Sequence, residues 1–241
     1  SIAWLGSTAN GEGLALRTSG FTPEEVSTYA THWAFENYTT ISDCIGDTYE
    51  ALGHTFWILT FPAAKATWVW DQQMNAWHER GLWNAADDRY DAWRPLFHTF
   101  AFGEHRALDL QTSAVYEMSS NFFLDVEELP LRRLRRAPAL VNENNLMFYS
   151  SFELDLESGL GAVSGQGVAP VVMMRASNDG GKTWGSFRTA TAGALGEYSS
   201  RAIWNRCGAG RRRVFEVSFS DPIAWRILNA YLKVRPASDQ A

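Results

Sequence analysis

Most of the residue patterns that would mark an enzyme or a metalloprotein are missing from this sequence. Its 241 residues contain two cysteines, Cys44 and Cys207, too far apart to act as the paired thiolates of a structural zinc site. Cysteine this sparse fits a reducing compartment, with one long-range disulfide as the alternative. The five histidines (His32, His54, His78, His98, His105) form no HxH or HxxxH pair, so neither a metal nor another cofactor is expected. No Gly-x-Ser-x-Gly, P-loop or Cys-x-x-Cys occurs. No catalytic residue is therefore assigned, and the chain is not read as an enzyme. No run of about 18 apolar residues offers a membrane span, and no signal peptide is present. The chain opens on Ser1 and enters a strand pattern at once over Ile2–Leu5, which reads as the C-terminal portion of a longer chain. Basic residues are outnumbered, 21 against 27 acidic, for a net charge of −6. That balance argues against a tight, salt-sensitive DNA binder.

Aromatic residues, in contrast, are abundant, with 11 Trp and 14 Phe. They concentrate in GHTFWILTFPAAKATWVWDQQMNAWHERG, residues 53–81. His54–Phe61 is apolar on both of its alternating faces, the mark of a strand covered on both sides. Pro62–Lys65 supplies a turn, Thr67–Asp71 a strand with Trp68 and Trp70 on one face, Gln72–Asn75 a polar turn, and Trp77 opens a third strand. Each such aromatic stabilises by roughly 1.5–3 kcal/mol when buried, so the sheet needs a neighbour. Short antiparallel strands faced with tryptophan read as one blade of a β-propeller. The sequence Trp-Val-Trp-Asp before a polar turn is echoed by Ala-Leu-Asp-Leu, with Asp71 and Asp109 38 residues apart. Propeller blades repeat at roughly 40–45 residues.

Elsewhere, Ile2–Leu5 and Leu14–Arg17 read as a hairpin around Asn10 and Gly11. A helix follows, with two possible starts. In one, Thr22 and Glu25 form a capping box with Pro23 at the first helical position and Phe21 stapled to Val26. In the other, Glu25–Ser27 is extended and Thr28 caps a shorter helix. In both, Tyr29, Ala30 and Trp33 form a stripe expected to pack on a sheet. Leu82–Arg94 reads as a polar, Trp-bearing loop, Ala224–Leu228 as a helical turn, and Tyr231–Val234 as the last strand. The expected fold is mainly β, a propeller of short antiparallel blades with a few short helices. Residues 1–130 would supply blades. Residues 131–241 would add further blades or a closing sheet of the same propeller.

Three groups of residues are candidates for a role. Ser177, Asp179, Gly181, Thr183 and Trp184 match the Asp-box pattern S-x-D-x-G-x-T-W, in which Ser and Asp side chains bond turn amides and Trp folds back between strands. Such turns recur in sialidase-like glycan hydrolases, but a lone box is first of all a stable hairpin tip. The arginines Arg132, Arg133, Arg135, Arg136, Arg211, Arg212 and Arg213 suit DNA phosphates or an acidic protein neighbour. They equally suit a solvated strand edge. Trp83 and Trp93 are candidates for a subunit interface.

The blocks AWLG, LRTSGFTPEEVSTYA, GHTFWILTFPAAKATWVWD, WHERG, RASNDGGKTWG and RAIWNRCGAGRRRVFEVSFSDP occur in this order. Together they resemble the packaged-DNA stabilisation proteins of P22-like short-tailed bacteriophages, also called tail accessory or tail hub (nozzle) proteins. The resemblance implies a propeller-containing subunit of the virion tail, assembled in the host bacterial cytoplasm as a six-fold homo-oligomeric ring. That ring would sit below the portal and its head-closure adaptor and continue the channel for genomic DNA. It would retain the packaged genome and carry a distal needle, fibre or tailspike. It implies no catalytic residue. The competing reading is a sialidase-like or glycan-binding propeller.

Overall fold

The tryptophan-rich stretch folds as its alternation requires. In the computed structural model, which describes residues 2–7 and 13–237, β4 (Ile45–Ala51), β5 (His54–Phe61), β6 (Ala66–Asp71), β7 (Ala76–Asn84) and β8 (Arg89–Ala92) form one antiparallel sheet in sequence order. Trp57 lies opposite Trp70, Leu59 opposite Trp68, and Trp70 opposite Trp77. The other face carries Ile58 against Val69, both buried, and Thr60 against Thr67, whose hydroxyls meet at 3.2 Å. Both faces are covered, as the sequence suggests. Each indole N–H on the tryptophan face that leaves water finds an acceptor. Trp68 donates to the Tyr38 hydroxyl (2.8 Å), Trp70 to Asn75 Oδ1 (3.3 Å) and Trp77 to the Val26 carbonyl (2.6 Å).

The sheet belongs to the first of two compact units, Ser1–Ser120 and Asn121–Ala241. Its cover is a second antiparallel sheet of β1 (Ala3–Ser7), β2 (Gly13–Ser19) and β3 (Thr22–Glu25), with helix α1 (Tyr29–Glu36). Ala15, Val26, Ala34 and Phe35 pack on Trp57, Leu59, Phe61, Trp68 and Trp70. The turn expected at Asn10 and Gly11 lies outside the described residues. Thr22–Glu25 is strand, so the Thr22–Glu25 capping box does not form. Instead Thr28 caps α1, its hydroxyl accepting from the Thr31 amide while Thr31 Oγ1 accepts from the Thr28 amide. That start rotates the helix so that Thr31, Ala34 and Phe35 face inward, leaving Tyr29, Ala30 and Trp33 exposed rather than on the sheet.

Leu82–Arg94 is a hairpin rather than a loop. β7 runs to Asn84, whose Oδ1 accepts from the amides of Ala86 and Asp87, and the chain returns as β8. A third antiparallel sheet of β9 (Pro95–Ala101), β10 (Glu104–Asp109) and β11 (Ala114–Met118) completes the first unit. The echo between Asp71 and Asp109 is structural. Each ends its strand, pairs with an alanine across a four-residue turn (Ala76, Ala114), and accepts the amide two residues on (Gln73, Gln111). Each turn closes on a residue of positive φ, Asn75 or Ser113. Each carboxylate also takes a cationic or ring nitrogen from upstream, His54 Nδ1 at 2.7 Å for Asp71 and Arg94 Nε at 3.0 Å for Asp109.

The second unit departs from the expected blades. Its strands are β12 (Arg133–Arg136), β13 (Leu140–Val141), β14 (Met147–Leu156), β15 (Val171–Ser177), β16 (Arg188–Thr191), β17 (Ala202–Gly210), β18 (Arg212–Phe219) and β19 (Ile227–Pro236). They form one sheet in the order β12-β18-β15-β16, with β13 also on β18, and another in the order β17-β14-β19. Inward side chains of both sheets share one core. Phe152, Leu154 and Trp204 meet Val172, Met174, Phe215 and Val217, and Phe152 stacks on Phe215 at 5.0 Å and 12°. This is a β-sandwich. No sheet among the described residues closes on itself. The reason lies in β14 and β18, whose ladder partners are strands distant in sequence rather than chain neighbours. The helical turn expected at Ala224–Leu228 is absent. Arg133 holds the carbonyls of Asp221 and Ile223, Trp225 stacks on Phe219, and strand β19 begins at Ile227.

Candidate functional sites

The Asp-box is the tip of the β15–β16 hairpin. Ser177 Oγ donates to Asp179 Oδ1 (2.6 Å) and accepts from the Gly181 amide (2.8 Å). Asp179 Oδ1 accepts from the amides of Lys182 and Thr183 at 2.9 Å, and its Oδ2 accepts from the Thr183 hydroxyl (2.6 Å). The bonds from Ser177 and Thr183 hold the Asp179 carboxyl far below the ordinary carboxylate range. Gly180 and Gly181 take φ of 80° and 98°, where a side chain would be strained.

The turn delivers Trp184 to the outer face of the sheet. There the guanidinium groups of Arg136 and Arg175 lie 4.8 and 4.9 Å from its ring centre. Beneath them Glu216 is fully buried. Its Oε2 accepts from Arg136 Nη2 (2.6 Å), and its Oε1 accepts from Arg175 Nε (2.6 Å). Arg175 and Arg132 also stack on Phe187, at 4.6 and 5.5 Å. Two arginines and a tryptophan thus satisfy and cover one buried carboxylate. Its chemistry is cohesion, since both oxygens of the buried carboxylate are taken by arginine donors.

Of the arginine run on β12, Arg136 is therefore committed to Glu216. Arg133 is committed to backbone carbonyls, and burial lowers its pKa, partly offset by Asp221. Arg135 is exposed. In the second run, Arg211 donates to the Asn144 carbonyl, and Arg212 is exposed, its backbone forming an isolated parallel β-bridge with that of Asp179. Arg213 is buried, with Nη1 donating to Asn178 Oδ1 at 2.9 Å and Nη2 to the Cys207 carbonyl. The seven arginines do not converge on one surface stripe.

In the first unit, Trp83 is half-buried edge-on to Tyr90 at 5.0 Å. Trp93 ends a column of stacked rings. It lies 5.7 Å from His98, His98 lies 5.1 Å from Tyr49, Tyr49 lies 4.8 Å from Phe56, and Phe56 lies 5.9 Å from His54. The Arg80 guanidinium lies 5.0 Å from the Trp93 ring centre and 5.3 Å from that of Tyr49. Asp47 meets His98 Nδ1 at 2.7 Å. Burial lowers the His98 pKa. The Asp47 contact opposes that shift, while the Arg80 and His105 charges add to it. Beside the column is a cleft of about 540 Å³ lined by Thr48, Tyr49, Glu50, Thr55, His98 and Phe100. Fully exposed aromatics lie elsewhere, at Phe21, Tyr29 and Phe102.

Sequence reasoning missed Glu216, Arg175, Arg188 and Arg206. Glu216 left a signal, a single carboxylate inside the otherwise apolar alternation of Val214–Phe219, which has to find a cation if buried. The other three stand alone in sequence, and only the fold collects them. Among the described residues no cluster of three His, Cys, Asp or Glu side chains suits a metal ion. No curated protein matches the chain. Residues 132–235, which hold β12 to β18 and nearly all of β19, match the family model described as the beta-sandwich of bacteriophage P22 Gp10.

Proposed function

We propose that the protein is a structural component of a short-tailed phage virion, a subunit of the tail hub or nozzle. The observation that carries this reading is the match of the sandwich to the P22 Gp10 family model. The ordered sequence blocks noted above extend the likeness into the first unit. In this reading six copies form a ring below the portal and adaptor, continue the DNA channel, retain the packaged genome and bear the distal needle, fibre or tailspike. The three antiparallel meanders of the first unit would be blades, with repeat turns at Asp71 and Asp109, of a propeller completed within the ring or by a further segment of chain.

Two features support assembly. Aromatic side chains are available for contacts between copies: Phe97, Phe100 and Phe102 are exposed on one sheet and its turn, and Tyr29 and Trp33 on the helix. A closed ring needs heterologous surfaces of that kind. A net charge of −6 suits a bore whose walls repel phosphate over about 8 Å at physiological salt.

One observation favours a glycan-binding protein instead. The cleft beside His98 combines aromatic rings with hydroxyl and carboxylate side chains. The test is sedimentation and negative-stain imaging of the full chain, alone and with a portal–adaptor assembly, beside an assay with a chromogenic sialoside. Rings seated on the adaptor are expected. A monomer that ignores the adaptor and turns over or binds the sialoside would replace this reading.

A further inference from the structure

The same strand that buries Glu216 with two arginines also buries an arginine with no carboxylate. Arg213 is 8% exposed. All its partners are neutral: Asn178 Oδ1, the carbonyls of Cys207 and Ala209, and the faces of Tyr149 and Phe215 at 5.2 and 5.1 Å. Its Nε is buried without a hydrogen-bond partner. It lines a recess of about 320 Å³ together with Arg175, Arg188 and Arg206, and no Asp or Glu lines that recess. Arg175 is neutralised by Glu216. Arg188 donates to the Asn205 carbonyl (2.6 Å) and the Arg206 carbonyl (3.5 Å). Burial depresses the pKa of Arg213, opposed by Cys207 and Tyr149 and helped slightly by the Arg188 charge. Among the described residues, three cationic side chains therefore share one small recess with no carboxylate lining it.

Part of this arrangement is structural. Strand β17 bulges against β14 between Tyr149 and Ser151, where Arg206 and Gly208 take positive φ. The bulge turns carbonyls away from the ladder, and Arg188 and Arg213 cap them. Neutral amide side chains would satisfy carbonyls equally well, without desolvating a cation beside two like charges. What the bulge does not account for is the charge.

We propose that this recess is a docking site for an acidic segment of a partner protein, one carboxylate of which enters between Arg213, Arg188 and Arg206. Guanidinium groups bonded only to neutral acceptors still carry a full charge, which a carboxylate satisfies more strongly than a carbonyl does. Duplex DNA fits less well. A backbone phosphate sits on a convex surface and is read by a stripe of exposed cations, whereas here Arg213 is recessed, and Arg133, Arg136 and Arg211 are held by their own chain. The site goes beyond the virion reading and can fail without it.

The experiment uses the full chain at low, constant ionic strength. Four probes are compared by calorimetry and thermal shift: acetyl-Asp-Glu-Asp-Glu-amide, its Asn/Gln analogue, inorganic phosphate, and a 12-base-pair duplex. The acidic peptide is expected to bind at least tenfold more tightly than the other three. Arg188→Gln and Arg206→Gln, both at exposed positions, should each remove that preference. Arg188→Lys should restore part of it at position 188, and Arg135→Gln should leave it unchanged. These variants avoid relying on Arg213, whose replacement risks the fold. Equal binding of the amide analogue, or peptide binding that survives both Gln variants, overturns the proposal. Tighter binding of the duplex through the same arginines would make the recess a nucleic-acid contact instead. Phosphate equal to peptide would make it a small-anion site, and either result overturns the partner assigned here. Rings that still form while the peptide fails to bind would remove this inference and leave the virion reading standing.

Discussion

The two units solve the same problem, covering apolar sheets, in opposite ways. In the first, every strand pairs with its neighbour in sequence, through β1-β2-β3, β4 to β8, and β9-β10-β11. In the second, β18 lies between β12 and β15, and β14 lies between β17 and β19, so that Arg136 faces Glu216 and Met147 faces Pro236. The difference extends to their polar groups. Both units bury charge, but the first sets Asp109 against Arg94, 15 residues away, while the second sets Glu216 between arginines 41 and 80 residues away on two other strands. The first unit's indoles and its histidine also reach along the chain, Trp77 to Val26 and His98 to Asp47, each 51 residues off. A carboxylate shared by two arginines, however, is a clamp that joins three strands at once.

The largest effect is therefore expected at that clamp. Glu216→Gln leaves Arg175, 14% exposed, and the half-exposed Arg136 without their shared, fully buried carboxylate. Breaking a buried pair in this way costs about 3 kcal/mol, the low end for such pairs because water screens Arg136. Hydrogen exchange resolved by unit should show β12, β15 and β18 losing protection while β4 to β8 keep theirs. Equal loss in both units would mean that the clamp is not local to the sandwich.

The repeat in the first unit offers a graded version of the same comparison. Asp109 is fully buried against the Arg94 guanidinium, whereas Asp71 keeps 12% of its side chain exposed and meets the His54 ring. Asp109→Ala is expected to cost about 3 kcal/mol, and Asp71→Ala about 1–2 kcal/mol, the loss of turn hydrogen bonds alone. Chemical denaturation of the two variants checks the ranking. Equal losses would mean that the turn, rather than the ion pair, dominates at both positions.

These contrasts also explain what the sequence could reveal. Turns announce themselves locally, and so the Pro62–Lys65 and Gln72–Asn75 turns, the Trp68/Trp70 face and the Asp71–Asp109 echo were all legible. Strand partners far along the chain carry no comparable signal. An alternation such as Val214–Phe219 fixes which side chains share a face but not which strand lies beside it. Reading those strands as blades followed from the first unit's pattern, and long-range pairing of β14 and β18 overrode it. The helix start failed for a nearer reason. Thr22-Pro-Glu-Glu and Thr28-Tyr-Ala-Thr both look like caps, and pairing of Thr22–Glu25 with β2 took the first out of contention. The recess at Arg213 was illegible because Arg188, Arg206 and Arg213 lie on three strands or strand ends.

Acid should separate the units more gently. All five histidines lie at or before His105, so the second unit has none. His98 is almost wholly buried, and burial lowers its pKa from the ordinary 6.5, so the folded first unit favours the neutral ring. The unfolded chain takes up a proton as pH falls through about 6.5, and the folded chain does so only at lower pH. Stability from this group is therefore complete above that value and declines as pH falls from about 6.5 toward the folded pKa. Asp47, Arg80 and His105 are the charged or titratable groups acting on it. Unit-resolved exchange at pH 7.5, 6.5 and 5.5 should show the first unit losing protection while the second stays level. His98→Gln should remove most of that slope. A slope in the sandwich, or one that survives His98→Gln, would place the sensitive group elsewhere.

The smallest effect bears most directly on function. Two hairpins of the first unit turn on two residues of positive φ, Leu52-Gly53 and Phe102-Gly103, with φ of 54° and 80° in one and 58° and 82° in the other. Such turns favour Asn at the first position, and a large apolar residue there is strained. Neither side chain is buried, at 85% and 94% exposed, so packing in the isolated chain does not compensate. Leu52→Asn and Phe102→Asn should each stabilise the monomeric chain by about 0.5–1 kcal/mol, read from denaturant midpoints. Under the proposed ring assembly, their effects should diverge if Phe102 lies at a subunit contact. Phe102→Asn would then raise the midpoint and weaken ring formation, while Leu52→Asn raises the midpoint alone. If both variants behave alike in assembly, the strain at Phe102 is not maintained by a subunit contact, and any aromatic contact in the proposed ring has to be sought at Tyr29 and Trp33.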